Sequence, residues 1–234
     1  MNDFFRFKQF TVKQDQAAMK VGTDGVLLGA WASLLQAGTI LDIGTGTGLI
    51  ALMAAQRNAG AFIDAVEIND PAFRQAQENT KASPWAERIQ VYHTSIFTFV
   101  PGKRYDHILC NPPFFTGSTP APESNRNTAR HCCNFSHTEL LKTVDRILEA
   151  EGKFSLILPP DEARNCIAEA EKKRLFLSRL TDVIPMPGKS TKRMLLEFSR
   201  QIQIPDKKEL ILEITHHHYT EAYINLTRDF YLKM

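Results

Sequence analysis

The stretch Leu41-Asp42-Ile43-Gly44-Thr45-Gly46-Thr47-Gly48 runs from an apolar segment into three glycines at alternate positions. Residues 39–43 predict a buried strand that Gly44 stops, and residues 49–57 predict the helix that follows. Gly44, Gly46 and Gly48 let the backbone turn tightly and approach a ligand without a Cβ in the way. In a sheet whose strands alternate with helices, ligands bind outside the C-terminal ends of the strands. A glycine turn alone also serves purely structural ends, so a second element is needed to give it a function.

Glu67 supplies one. It ends the next predicted strand, residues 61–68, in Val66-Glu67-Ile68-Asn69. A carboxylate there can accept both ribose hydroxyls of a nucleoside cofactor; the alternative is a solvated charge at a strand end. The spacing is Gly-x-Gly-x-Gly, without the extra residue that helps seat a pyrophosphate on a helix N-terminus. S-adenosylmethionine carries no phosphate and suits the shorter turn. Asp42 could then bond the methionine ammonium, directly or through water, or could simply brace the loop.

Outward from this turn the alternation continues. A helix is expected over 71–81, with Pro71 in its first turn. Strands are expected over 88–92 and 105–110. Residues 116–134 lack apolar periodicity and read as a long loop. Ser136, with Glu139 three residues on, predicts a capped helix reaching about Ala150. A strand over 153–158, a helix over 161–173 and strands over 175–185 and 192–200 follow. The last two, joined by Met186-Pro187-Gly188-Lys189, have no helix between them and predict an antiparallel edge hairpin. Residues 210–215 read as a short strand and 219–231 as a terminal helix. This is an α/β pattern with a mostly parallel, doubly wound sheet and helices on both faces. It predicts a single domain over 1–234, with a leading extension over 1–38 and a substrate loop over 116–135.

The 234 residues are 43% hydrophobic and 23% charged, as expected of a folded domain. No run approaches the roughly 18 apolar residues of a membrane span, and the first residues lack a signal-peptide pattern. A cytoplasmic protein without membrane association is expected. The four cysteines include no C-x-x-C pair, and the formal net charge is only +2. His216-His217-His218 do not converge on one ion if they alternate along a strand, so no metal site is expected.

Asn111-Pro112-Pro113-Phe114 follows the 105–110 strand directly and carries the chemistry. A conjugated exocyclic amine is planar, its lone pair delocalised, and so it is a poor nucleophile. Acceptors that hold its two N–H bonds leave the lone pair aimed at a methyl donor. The Asn111 side-chain oxygen is one acceptor and the Pro112 carbonyl is the second. Pro112 and Pro113 stiffen the turn. Phe114 can stack on a base, worth about 1–3 kcal/mol. No strong general base is required, because the sulfonium is already activated and positioning dominates. For phosphate contacts the candidates are Arg126, Arg130 and His131 in the long loop, and Lys189, Lys192 and Arg193 at the hairpin tip.

Further motifs carry a resemblance. Residues Phe7-Lys8-Gln9-Phe10 and the run from Met19 to Trp31 resemble the N-terminal signature of the bacterial tRNA1(Val) adenine-N6 methyltransferases. The likeness continues through 41–48, 111–114, Thr128-Ala129-Arg130-His131 and the ending 226–231. It implies a Rossmann-like class I methyltransferase fold with a seven-stranded sheet, S-adenosylmethionine as cofactor, and N6-methylation of adenosine 37 beside the anticodon of valine tRNA. By position it places Lys20, Thr23 and Asp24 near the methionine end of the cofactor, with the glycine turn, Glu67 and Asn111 completing its site. Where such enzymes often carry Asp for the cofactor adenine, this chain has Ser95, which accepts a hydrogen bond without charge. A monomer is expected.

Other readings remain open to the residues alone. A glutamine side chain in a protein, or adenine in DNA, presents the same planar nitrogen. Glutamine methyltransferases usually carry Tyr where Phe114 stands. A nicotinamide-dependent oxidoreductase would use the glycine turn and Glu67 but leave 111–114 unexplained. A non-enzymatic RNA-binding module would bind cofactor without transferring a methyl group.

Overall fold

Residues 2–17, 19–112 and 136–233 are described by the computed structural model. The chain opens with a small antiparallel hairpin, Phe4–Arg6 (β1) and Thr11–Lys13 (β2), followed by helix Thr23–Trp31 (α1). Then come Thr39–Ile43 (β3), Leu49–Arg57 (α2), Phe62–Glu67 (β4), Asp70–Lys81 (α3), Ile89–His93 (β5) and Tyr105–Cys110 (β6). Further along the chain, His137–Ile147 (α4) leads into Leu148–Leu158 (β7), Pro160–Glu171 (α5), Phe176–Ile184 (β8), Arg193–Ser199 (β9) and Asp206–Ile211 (β10). A second small hairpin, Glu213–Thr215 (β11) with His218–Tyr219 (β12), precedes Glu221–Thr227 (α6).

The central sheet has the order β10-β8-β9-β7-β6-β3-β4-β5. Every neighbouring pair is parallel except those made by β9, which runs against both β7 and β8. The turns after β3, β4, β5, β6, β7 and β8 therefore all open on one edge of the sheet, and the functional residues lie there.

Alternate residues feed two cores, one on each face. Ile40, Leu109, Ile157 and Leu195 pack with α1 and α2. Leu41, Ile108, Leu156 and Leu196 pack with α4 and α5. Strands covered on both sides lose the in–out alternation of an exposed sheet, which is why they read as continuous apolar runs. Helix α1 packs closely on α2: a Cβ at Gly29 would lie 2.7 Å from Met53 Sδ.

The expected hairpin is β8–β9, but it does not end the sheet. An eighth strand, β10, continues it by pairing parallel with β8 from Asp206↔Arg179 to Ile211↔Ile184. Its charged start, Asp206-Lys207-Lys208-Glu209, is exposed, as suits an edge that must not recruit another strand. The predicted strand over 210–215 is thus split between β10 and β11. The helix after Ser136 stops at Ile147, not Ala150, because Leu148 turns extended and pairs at once with Tyr105. The terminal helix is shorter than expected and ends at Thr227. His216 and His217 fall in the turn of the β11–β12 hairpin, with His217 at φ 64. Among the described residues, no helix is long and apolar enough to cross a membrane.

Candidate active site

The glycine turn is built from left-handed backbone. Gly44, Gly46 and Gly48 sit at φ 67, 57 and 84, conformations that a residue with Cβ adopts only at a cost. Side chains added at Gly44 or Gly46 would meet nothing within 4 Å, so this part of the turn faces open space. Gly48 faces inward, where a Cβ would touch Ala76 and Thr80 of α3 at 3.5–3.6 Å. The turn is tied to the end of β4 by Gly44 N and Thr45 N, which both donate to Val66 O.

Two carboxylates hold this turn. Asp42 Oδ2 accepts from Thr45 Oγ1 at 2.5 Å and from Ala51 N at 3.2 Å. Its Oδ1 is buried with no hydrogen-bond partner among the described residues. Burial pushes this carboxyl up to about 7; the bonds from Thr45 and Ala51 oppose that, and the charge of Glu67 adds to it. Asp42 therefore braces the loop with one oxygen and keeps the other unspent.

Glu67 turns inward as well. Its Oε2 accepts from Gly46 N, and its Oε1 accepts from Ile68 N and Asn69 N, all at 2.8–2.9 Å. A carboxylate offers about four acceptor positions. Three are filled by backbone, so the expectation that Glu67 takes both ribose hydroxyls meets a limit. It has room for one without giving up a bond. Beside it, Ile68 is 42% exposed, an apolar side chain at the mouth of the site that sequence reasoning passed over. The signal was present, since an apolar residue directly after the acidic strand end has no core to enter.

Asn111 follows β6, the strand next to β3. Its Oδ1 is buried and has no partner among the described residues. An unpaired buried acceptor costs about 1–3 kcal/mol, and functional sites are where such costs are found. Its Nδ2 lies 3.9 Å from the Cβ position of Gly25, so the start of α1 lies against Asn111. Pro112 is buried. Pro113, Phe114, Arg126, Arg130, His131 and the 116–135 loop lie outside the described residues.

The other expected residues divide. Asp24 Oδ2 accepts from Arg193 Nε at 2.8 Å. Arg193, expected at the RNA, is thus tied to α1, whereas Lys189 and Lys192 are exposed on the β8–β9 turn. That turn opens on the edge that carries the glycine turn and Asn111. Thr23 is exposed at the first position of α1. Lys20 Nζ donates to Asn2 O at 3.3 Å. Ser95 Oγ accepts from Phe97 N at 3.3 Å, capping the turn after β5. His93 stacks on Phe73 with ring centroids 4.9 Å apart, a surface packing role.

The Methyltransferase small domain family model matches residues 19–158. A tRNA1(Val) (adenine(37)-N6)-methyltransferase of Parabacteroides distasonis is 47% identical, covering 100% of this chain and 99% of its own length. The enzyme of that name from Vibrio cholerae is 43% identical, covering 100% of this chain and 97% of its own.

The chain belongs to the tRNA1(Val) (adenine(37)-N6)-methyltransferase family.

Solved structures agree on the fold of this family member. A predicted O-methyltransferase from Agrobacterium tumefaciens superposes with TM-score 0.69 at 20% identity, over 88% of this chain and 96% of that one. The glycopeptide N-methyltransferase MtfA, complexed with S-adenosyl-L-methionine, gives TM-score 0.56 at 13% identity, over 78% and 90%. At such identities the likeness concerns the Rossmann-like fold alone. The family match reaches from Met19, shortly before α1, to the end of β7, and so spans the glycine turn, Glu67 and Asn111.

Proposed function

We infer that this chain transfers a methyl group from S-adenosylmethionine to N6 of adenosine 37 in tRNA1(Val). Membership of the family supports the acceptor. The observation that carries the chemistry is the unspent Asn111 oxygen, buried beside the glycine turn at the end of a central strand.

The residues present fit the cofactor. Asp42 Oδ1 is an orphaned acceptor suited to an ammonium, reached through a water or a small opening of the loop, since Asp42 has no exposed surface. Glu67 Oε2 takes one ribose hydroxyl, and Ile68 and Ser95 border the adenine. S-adenosylmethionine supplies an electrophilic methyl group on a positively charged sulfur. The chain supplies position. Asn111 Oδ1 and the Pro112 carbonyl accept the two amine hydrogens, with Pro113 stiffening the turn and Phe114 stacking on the base. Both acceptors are uncharged, so they orient the lone pair without having to remove a proton before transfer. The base must leave its stack to reach them, and an anticodon loop offers bases that can be splayed out. Lys189 and Lys192, with Arg126, Arg130 and His131, contact phosphates.

The experiment is to incubate the chain with labelled S-adenosylmethionine and, separately, with unmodified tRNA, protein and DNA. Digestion and mass spectrometry then identify the methylated atom. N6-methyladenosine at position 37 of tRNA1(Val) is expected. Label on glutamine or DNA adenine would replace this reading.

A further inference from the structure

Two buried amides outside the residues named above bind the backbone of the glycine turn and of the segment that precedes α1. Asn79, on α3, is 2% exposed, and Gln14, just after β2, is 6% exposed. Asn79 Nδ2 donates to Lys13 O at 2.8 Å and to Thr47 O at 2.9 Å, while its Oδ1 accepts from Lys13 N at 2.9 Å. One side chain thereby fixes the end of β2 against the glycine turn. Gln14 Oε1 accepts from Val21 N at 2.8 Å, and its Nε2 donates to Asn2 O at 3.0 Å. The bond donated by Val21 N ties Gln14 to the residues that lead into α1. Gly25, near the start of α1, in turn borders Asn111.

Residues 13–17 and 19–25 thus begin beside the glycine turn and end beside Asn111. Packing alone does not require these amides. Helix α3 already meets the turn through Ala76 and Thr80, and an apolar side chain would bury area as well. Hydrogen bonds to fixed backbone atoms set position instead, and in a buried site they are costly to break.

We propose that Gln14 and Asn79 are positioning residues that hold this strap across the cofactor cleft. They act through the strap backbone and Thr47 and do not touch the donor. The inference rests on the donor binding between the glycine turn and Asn111, as inferred above. Losing either amide loosens the wall of the cofactor site while leaving Asn111 in place.

The test uses the full chain with Asn79→Ala and Gln14→Met, measuring S-adenosylmethionine Kd by calorimetry, kinetics with each substrate varied, and amide exchange at Val21. Each variant is expected to raise Kd and KM for S-adenosylmethionine about tenfold. The kcat at saturation and the KM for tRNA should stay within about twofold, and Val21 should lose protection in Gln14→Met. Asn58→Ala is the control for mere destabilisation. It removes four hydrogen bonds at the far end of α2, to Leu34 O and Ala37 O and from Gly60 N and Ala61 N. It should lower Tm with no change in KM. Gln14→Met carries the test alone if Asn79→Ala does not fold. A wild-type chain that neither binds S-adenosylmethionine nor methylates tRNA overturns the functional reading and this inference together. An active wild type whose variants keep KM within twofold, or an Asn58→Ala that raises KM equally, overturns this inference alone.

Discussion

Arg193 Nε lies 2.8 Å from Asp24 Oδ2, joining the first residue of β9 to the first turn of α1 across 169 positions of sequence. Both side chains are about one-fifth exposed, at 20% and 23%. The bond anchors the basic β8–β9 turn to the helix that borders Asn111. Arg193 is also a candidate for phosphate contact, so its role is measurable against that of Lys189 and Lys192. Arg193→Met and Asp24→Asn should each lower Tm, and the double variant should lose less than the sum, with a coupling of about 1 kcal/mol. Thermal unfolding of the four proteins measures it.

Lys189 and Lys192 behave differently, because they are exposed on the turn. Each phosphate neutralised contributes about 0.7–0.9 to the slope of log affinity against log salt. Lys189→Ala and Lys192→Ala should each reduce that slope by about this amount in filter binding to tRNA. Arg193→Met should leave it unchanged. An equal slope change in all three would return Arg193 to the RNA interface.

Asn111→Ala should lower kcat at least about a hundredfold, since it removes an acceptor that acts on the reacting amine. The affinity for S-adenosylmethionine should stay within about threefold. Stability should barely fall, as Asn111 Oδ1 has no hydrogen bond to lose among the described residues. Single-turnover methylation with calorimetric binding separates these effects, and normal turnover would refute the mechanism.

Glu67→Ala should fail in the opposite manner. It strips an acceptor from Gly46 N, Ile68 N and Asn69 N at once. A loss of about 3 kcal/mol in urea unfolding is expected, together with loss of cofactor binding. A stable variant that only binds more weakly would mean that the ribose contact outweighs the loop-bracing role.

Asp42 sets a pH dependence. Its carboxyl is raised from 3.8 to about 7 in the folded chain, chiefly by burial. The folded state thus holds a proton that the unfolded state releases between about pH 4 and 7, so this group's contribution to stability falls as pH rises through that window. It is fully present below pH 4 and lost above about 7. Asp42→Asn should flatten that part of the stability profile and stabilise the cofactor-free protein at pH 8. Binding an ammonium beside Asp42 favours the ionised form, so cofactor binding near pH 6.5 should release a proton. Calorimetry in buffers of different ionisation enthalpy detects it; no buffer dependence would place the ammonium elsewhere.

Local pattern made much of the site legible. The glycines at 44, 46 and 48 had to occupy a turn, and all three take left-handed backbone. Asn111 had to stand just beyond a buried strand, because Pro112 ends it. What was not legible were choices among partners. A carboxylate such as Glu67 reads the same whether it faces a ribose or three backbone amides. Gln14 and Asn79 carry no motif at all, and their meaning lies in contacts 7, 32 and 66 residues away.

Sequence by itself determined the alternation of strands and helices, the left-handed glycine turn, the β8–β9 hairpin and the place of Asn111, because each follows from periodicity or backbone sterics within a few residues. Tertiary structure alone decided that β10 extends the sheet beyond the hairpin, that Arg193 binds Asp24, and that Glu67 turns inward onto the backbone of the glycine turn and of its own strand end. Those outcomes depend on which groups are brought within hydrogen-bonding distance once the chain has packed, and charged residues such as these have no preferred partner until it does.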